Sequence, residues 1–249
     1  MKFRIDAVSN LGCVRQNNED MAFVFDEKLR DDSLRLLLPV TSDARIATLV
    51  ADGMGGYGGG EIASEMALES FDSFYTALPA GLDAMEVSVA VKEWAGAVNN
   101  DIRTRAASDP ELENMGTTLT GIFTYGDDCF LINAGDSRVY RFRGDYLRQL
   151  TVDHSERERF NDPNLPSNLI YNALGVANAF VDVSSFNLSF PMVEGDVYVI
   201  CSDGLSDMIS DAEIETILMD GGTAQTLVDA ALAAGGRDNC TVILLTITP

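Results

Sequence analysis

Hydrophobic positions along the chain follow two periods. Short apolar runs at residues 3–9, 21–26 and 46–51, each bounded by polar or glycine-rich turns, predict strands. Next, Ile62, Met66, Leu68, Phe71, Phe74 and Leu78 recur at helical intervals, with Glu61, Glu65, Glu69 and Asp72 between them. They predict an amphipathic helix over 61–77. A second helix over 84–107 carries Val87, Val91, Trp94, Val98 and Ile102 on one face. From residue 117 the pattern returns to closely spaced strands at 117–124, 129–134, 138–142 and 146–150, with hairpin turns at Gly126-Asp127-Asp128 and Arg143-Gly144-Asp145. Strands at 181–188 and 196–202, helices at 211–219 and 223–234, and a strand at 241–248 complete the series. Segment 31–43 predicts a loop or irregular strand, and 155–167, with Pro163 and Pro166, a surface loop with at most one helical turn. Strands and helices segregate into blocks, which favours an α+β layered sandwich over a doubly wound sheet. With no internal repeat or linker, a single domain over 1–249 is expected.

Composition changes this picture mainly through charge. The 249 residues are 46% hydrophobic, enough for a substantial core. A net charge of -22, from 17 Lys and Arg against 39 Asp and Glu, argues against nucleic acid or an anionic membrane as main partner. Residues Met1 to Asp6 lack the apolar core of a signal peptide and no run is long enough for a membrane span, so a soluble cytoplasmic protein is expected. Cys13, Cys129, Cys201 and Cys240 lack CxxC spacing and read as structural thiols.

Several apolar runs meet an aspartate beside glycine. Residues 46–51 lead into Asp52-Gly53, 129–134 into Gly135-Asp136, and 197–202 into Asp203-Gly204, while Asp238 follows Gly235-Gly236-Arg237 and precedes the last strand. Strand ends of this kind place several carboxylates at one rim of a sheet, where mutual repulsion and desolvation call for a divalent cation. An all-oxygen donor set selects Mg²⁺ or Mn²⁺ over Zn²⁺, and hard metals in carboxylate cages suit phosphoryl chemistry. The stretch Gly53-x-Gly55-x-x-Gly58 matches a dinucleotide fingerprint, but a second helix follows where a parallel strand is needed, and Asp52 would repel a pyrophosphate. The loop lacks GK[ST], so it is not a Walker A loop. Cys201 has Asp207 where a thiol phosphatase needs Arg. The one histidine, His154, reads either as a surface or hydrogen-bonded structural residue or as a proton-transfer group near the site.

Together, Gly12-x-x-Arg15-x-x-Asn18-Glu19-Asp20, Asp52-Gly53-Met54-Gly55-Gly56, Gly116-Thr117-Thr118-Leu119, Gly135-Asp136-Ser137-Arg138-x-Tyr140, Thr151-x-Asp153-His154-Ser155, Ser202-Asp203-Gly204-Leu205 and Asp238-Asn239-x-Thr241 follow one family's order. The chain resembles the metal-dependent serine/threonine protein phosphatases, the PPM family of type 2C, in its compact bacterial form. The resemblance implies a central antiparallel β-sandwich flanked by helix pairs, in four αββα layers. It implies two Mn²⁺ or Mg²⁺ ions bridged by Asp52, with the Gly53 carbonyl on one and Asp203 and Asp238 completing the second site. It also implies Glu19 and Asp20 on metal-bound waters, Asp136 at a third metal and Arg15 on substrate phosphate. A hydroxide bridging the metals would then hydrolyse phosphoserine or phosphothreonine in proteins, with substrates made by a bacterial serine/threonine kinase and a monomeric enzyme. Two departures stand out: Met54 occupies the place of a histidine proposed as general acid in many eukaryotic members, and the flap between Ser155 and Asn172 looks short and lacks the Arg-Asn pair often found there. The competing readings are a pseudophosphatase that binds phosphoproteins without turnover, and an enzyme dedicated to one regulator.

Overall fold

The structure is a computed structural model that describes residues 1–41, 43–56, 58–166, 168–176, 183–187 and 192–249. Two six-stranded antiparallel sheets stack face to face. In the first the strand order is β11 (Tyr146–Gln149), β10 (Arg138–Arg143), β13 (Val197–Cys201), β14 (Cys240–Thr248), β1 (Lys2–Asn10) and β4 (Ser33–Pro39). In the second it is β12 (Ser184–Asn187), β9 (Asp128–Ala134), β8 (Leu119–Tyr125), β5 (Ala47–Ala51), β2 (Met21–Val24) and β3 (Glu27–Leu29). A two-stranded ribbon joins β6 (Gly53–Met54) to β7 (Gly116–Thr117).

Three apolar layers hold this stack together. Between the sheets lie Ile5, Val50, Ile122, Leu131, Ile200 and Ile243 with their neighbours. Over the outer face of the second sheet pack α1 (Gly59–Ala77) and α2 (Ala84–Ala107), with Phe71 at the centre of a ring cluster touching Phe23, Phe74, Tyr75, Trp94 and Phe123. Below the first sheet lie α4 (Asp203–Ser206), α5 (Asp211–Met219) and α6 (Ala224–Ala233), through Ile214, Leu227 and Val228. The arrangement is the expected α+β sandwich with helices on both outer faces. A short helix, α3 (Glu156–Phe160), is the one turn of helix expected in the flap region.

Local chemistry explains most boundaries. Asp83 caps α2 by accepting from the Met85 and Glu86 amides while Glu86 bonds back to the Asp83 amide, a capping box. Ser210 and Glu213 do the same for α5. The structure corrects three expectations. Segment 31–43 contains β4, a regular edge strand paired with β1 from Lys2↔Pro39 to Val8↔Ser33. Helix α1 begins at Gly59 rather than 61, because its glycine-rich first turn lies against the Gly53 backbone. Cys13 is exposed rather than packed as a structural thiol, whereas Cys201 and Cys240 are buried. Of the strand expected at 181–188, residues 181, 182 and 188 lie outside the described residues. Among the described residues no helix is long and apolar enough to cross a membrane.

Candidate metal and phosphate site

The strand ends deliver their acids to one rim of the sandwich. Asp52 follows β5, Asp136 lies between β9 and β10, Asp203 opens α4 directly after β13, and Asp238 precedes β14. The loop after β1 adds Arg15, Glu19 and Asp20. These groups sense one another's charge. Burial, then repulsion from Asp20, Asp203, Asp136 and Asp238, holds the Asp52 carboxyl well above the usual carboxylate range. Burial, followed by Asp136, Asp238, Asp207 and Asp20, does the same to Asp203. Burial pushes Asp20 up to about 6 against the hydrogen bond from Ser202, and burial with repulsion from Asp153 pushes Asp136 up to about 7. Glu19 is also raised, by burial first, with Arg15 acting the other way.

Backbone contacts fix this cluster. The Asp52 amide donates to Thr118 Oγ1 at 3.0 Å, and the Asp52 carbonyl accepts from the Thr118 amide at 2.8 Å and from Thr117 Oγ1 at 3.0 Å. Thr118 Oγ1 also meets Ser137 Oγ at 2.7 Å, tying the Asp52 corner to the Gly135-Asp136-Ser137 turn. Gly53 donates its amide to the Glu19 carbonyl at 3.2 Å and has Gly60 against its other side, where a Cβ would stand 2.1 Å from the Gly60 carbonyl oxygen. Only glycine permits that approach. On the opposite side Ser202 Oγ donates to Asp20 Oδ2 at 2.7 Å and accepts from the Thr241 amide at 3.0 Å.

Arg15 Nη2 reaches Asp238 Oδ2 at 2.6 Å, with both side chains partly in solvent. That bond, ahead of the cost of burial, raises the guanidinium pKa further. Arg15 therefore stands beside the carboxylates, with free access from solution. His154 is buried, and its Nδ1 accepts from the Gly135 amide at 3.2 Å and lies 2.7 Å from Asn172 Nδ2. It braces the turn that carries Asp136. Cys201 is buried and its thiol is pushed up to about 12, which removes it as a nucleophile near neutral pH.

The donor set fits a hard divalent cation. Asp20 Oδ1 and Asp136 Oδ1 are buried with no hydrogen-bond partner, which is costly for a carboxylate unless a cation completes it. Raised carboxyl pKa values report the same unmet charge. Among the described residues, no three His, Cys, Asp or Glu side chains already converge as a closed ligand set, and Asp238 turns to Arg15 instead. The sequence pattern singled out Asp52, Asp136, Asp203 and Asp238, the family resemblance added Glu19 and Asp20, and Asp207, whose charge acts on both Asp136 and Asp203, was missed. No role was assigned to Thr118, Ser137, Ser202, Asn239 and Thr241, although each lies in a quoted motif.

Known proteins of similar sequence and fold identify the family. The protein phosphatase 2C family matches residues 25–231. A serine/threonine phosphatase, stp, of Listeria innocua is 34% identical over 98% of this chain and 94% of its own length. The solved Streptococcus agalactiae serine/threonine phosphatase superposes with a TM-score of 0.79 at 29% identity, over 98% of this chain and 99% of that one. The catalytic domain of the phosphatase PstP, solved with two manganese ions, gives a TM-score of 0.74 at 30% identity over 100% and 99% of the two chains. On the match to residues 25–231 and the near full-length similarity, this chain belongs to the protein phosphatase 2C family.

Proposed function

We propose that this chain is a metal-dependent protein phosphatase, acting on phosphoserine and phosphothreonine, and that residues 1–249 form one catalytic domain. The observation that carries the reading is the pair of buried, partnerless carboxylate oxygens on Asp20 and Asp136 within a rim of five aspartates, beside a solvent-accessible arginine. The PstP catalytic domain of the same fold holds two manganese ions, which supports Mn²⁺ or Mg²⁺ here. Asp52 and the Gly53 carbonyl, with Asp203 and Asp238, would hold two such ions; Glu19 and Asp20 would complete their surroundings, and Asp136 would serve a third. Bound there, the ions supply a water acidic enough to act near neutral pH and neutralise charge on the phosphoryl group.

The protein's own residues do the rest. Arg15 presents a planar pair of donors suited to two phosphate oxygens. Thr117 and Thr118 hold Asp52 by its backbone, and Ser202 holds Asp20, so the carboxylates are fixed before substrate arrives. Met54 offers no proton, so the leaving alkoxide oxygen must take its proton from water or another group at this partly open position. Phosphoproteins made by a bacterial serine/threonine kinase, a monomeric state and a cytoplasmic location fit this reading. The test is hydrolysis of a phosphothreonine peptide by the purified chain with Mn²⁺, with Mg²⁺ and with chelator. Turnover that requires the metal supports the proposal; binding of metal and peptide without turnover would replace it with a phosphoprotein-binding role.

A further inference from the structure

The loop joining β1 to β2 carries Arg15, Glu19 and Asp20 but contains no helix or strand of its own. Residues 13–17 are exposed, so packing does not set their path. One buried side chain from the far end of the chain gathers the loop. Asn239 Nδ2 donates to the Leu11 carbonyl at 2.9 Å and to the Asn17 carbonyl at 3.0 Å, and Asn239 Oδ1 accepts from the Glu19 amide at 2.9 Å. Both amide hydrogens and the amide oxygen are used, and they join the start of the loop to its end. Arg15 stands at the apex between those two points. The Asn239 backbone amide donates to Asp238 Oδ1 at 2.9 Å, while Arg15 takes Asp238 Oδ2. The neighbouring contacts follow the same seam. Cys13 donates its amide to the Gly236 carbonyl at 2.7 Å, and Gly12, at φ +82, lies so near that a Cβ would stand 2.2 Å from the Asp238 carbonyl oxygen.

We propose that Asn239 is a positioning residue for phosphate binding: its amide clasps residues 11, 17 and 19 and thereby holds Arg15 beside the carboxylate rim. This deepens the phosphatase reading and rests on it. The chemistry asks for two donors and one acceptor on a short planar group, which Asn supplies. Aspartate would face two carbonyl oxygens with a carboxylate, and serine would replace one donor at most. Freed from the clasp, the 13–17 apex regains conformational freedom, and each phosphate-binding event must order it again. The loss falls on substrate binding, because the Asn239 side chain bonds none of Asp52, Asp203 and Asp238, and its contact to Asp238 is made by the backbone amide, which survives substitution.

The test is a double-mutant cycle on a phosphothreonine peptide at saturating Mn²⁺, using the wild type, Arg15→Ala, Asn239→Ser and the double variant. Both single variants are expected to raise KM by about tenfold with a smaller change in kcat, and the double variant to stay within about twofold of Arg15→Ala, because residues that act as one unit are not additive. Multiplying KM effects would overturn the clasp, as would an unchanged KM in Asn239→Ser. So would a loss of Mn²⁺ affinity in Asn239→Ser, by calorimetry, as large as its KM change, since the residue would then act through Asp238. If Asn239→Ser lacks the wild-type circular dichroism spectrum, Asn239→Thr, which fills more of the side chain's space and adds no charge beside Arg15, replaces it. A wild type inactive with every metal overturns the phosphatase reading itself, whereas an active wild type with multiplicative effects overturns only the clasp.

Discussion

Asp196 and Asp136 are both buried acids at strand ends, and their surroundings are opposite. Asp196 is 0% exposed and Asp136 5%. Asp196 receives Arg143 Nε and Nη2 at 2.5 Å each, the Val193 amide at 3.2 Å and the Tyr198 hydroxyl at 3.4 Å. Burial alone would raise its pKa, yet Arg143 and the amide bring it below the usual range. Asp153, near the rim, is likewise paired within the chain, with Arg138 Nη2 on its Oδ2 at 2.7 Å and Gln149 Nε2 on its Oδ1 at 2.8 Å. Asp136 has an oxygen with no hydrogen-bond partner, and the repulsion of Asp153 and Asp207 adds to burial, with Arg138 offsetting only part of it. One set of carboxylates is neutralised from within the chain. The other lacks that neutralisation, which a cation from outside would supply. On the proposed function, structural and functional acids are told apart by what surrounds them, not by how deeply they lie.

The largest effect that tests this contrast is on turnover. Asp203→Asn should lower kcat at least ~100-fold at the Mn²⁺ level that saturates the wild type. The same substitution should leave the melting temperature in chelator unchanged or raised, because it removes a repelled charge. A fall in chelator stability would place Asp203 with Asp196 instead. Asp196→Asn should do the reverse: about 2 kcal/mol lost in denaturant unfolding, with kcat per folded molecule retained. The figure sits below that of a fully buried pair because Arg143, 34% exposed, can return to water.

Titration separates the two sets by sign. Asp20, at about 6, and Asp136, at about 7, keep protons in the folded state that the unfolded chain releases near pH ~4. Stability from these protonated carboxyls is complete below pH ~4 and is lost as pH rises through about 6 to about 7. Asp196, with its lowered pKa, contributes at neutral pH and loses its share as pH falls through its folded value. In chelator, the melting temperature should therefore fall between pH ~4 and ~7, Asp136→Asn should flatten that fall, and excess Mn²⁺ should oppose it. A chelator profile that rises across this window would contradict the assignment of Asp20 and Asp136 to the unneutralised set.

How far this division was legible in the sequence follows from the range of each interaction. Asp52, Asp203 and Asp136 were visible because an apolar run ending at an acid beside glycine is a local signal. Helix α2 was equally plain, since Val87 to Ile102 mark one face. Strand β4 was hidden because Leu37 interrupts the alternation of Leu34, Leu36 and Leu38 with an exposed apolar residue. The start of α1 was hidden because Gly59 and Gly60 have poor helix propensity, and the Gly53 backbone needs them there. Ser202 and Asn239 lay in recognised motifs, but their partners Asp20 and Glu19 are 182 and 220 positions away, beyond any periodicity. A separation of 53 positions likewise hid the pairing of Arg143 with Asp196, so sequence alone did not divide the acids into two sets.

The smallest effect concerns the one place where the two sets overlap. Asp238 belongs to the functional rim by position, yet it carries an internal partner, Arg15 at 2.6 Å. If that partner stands in for a cation, Mn²⁺ must displace it, and removing it should tighten the metal. The side chains are 51% and 36% exposed, so the contact is worth about 0.5–1 kcal/mol, or roughly two- to fivefold in Kd. Arg15→Ala should thus bind Mn²⁺ that much more tightly by calorimetry in phosphate-free buffer. Arg237→Ala removes the same charge from the residue next to Asp238 and serves as the control for a general change in field. Equal tightening in both variants would assign the effect to net charge. Tightening confined to Arg15→Ala would show that Asp238 is held in reserve by Arg15 and released when the metal arrives, leaving the guanidinium for phosphate.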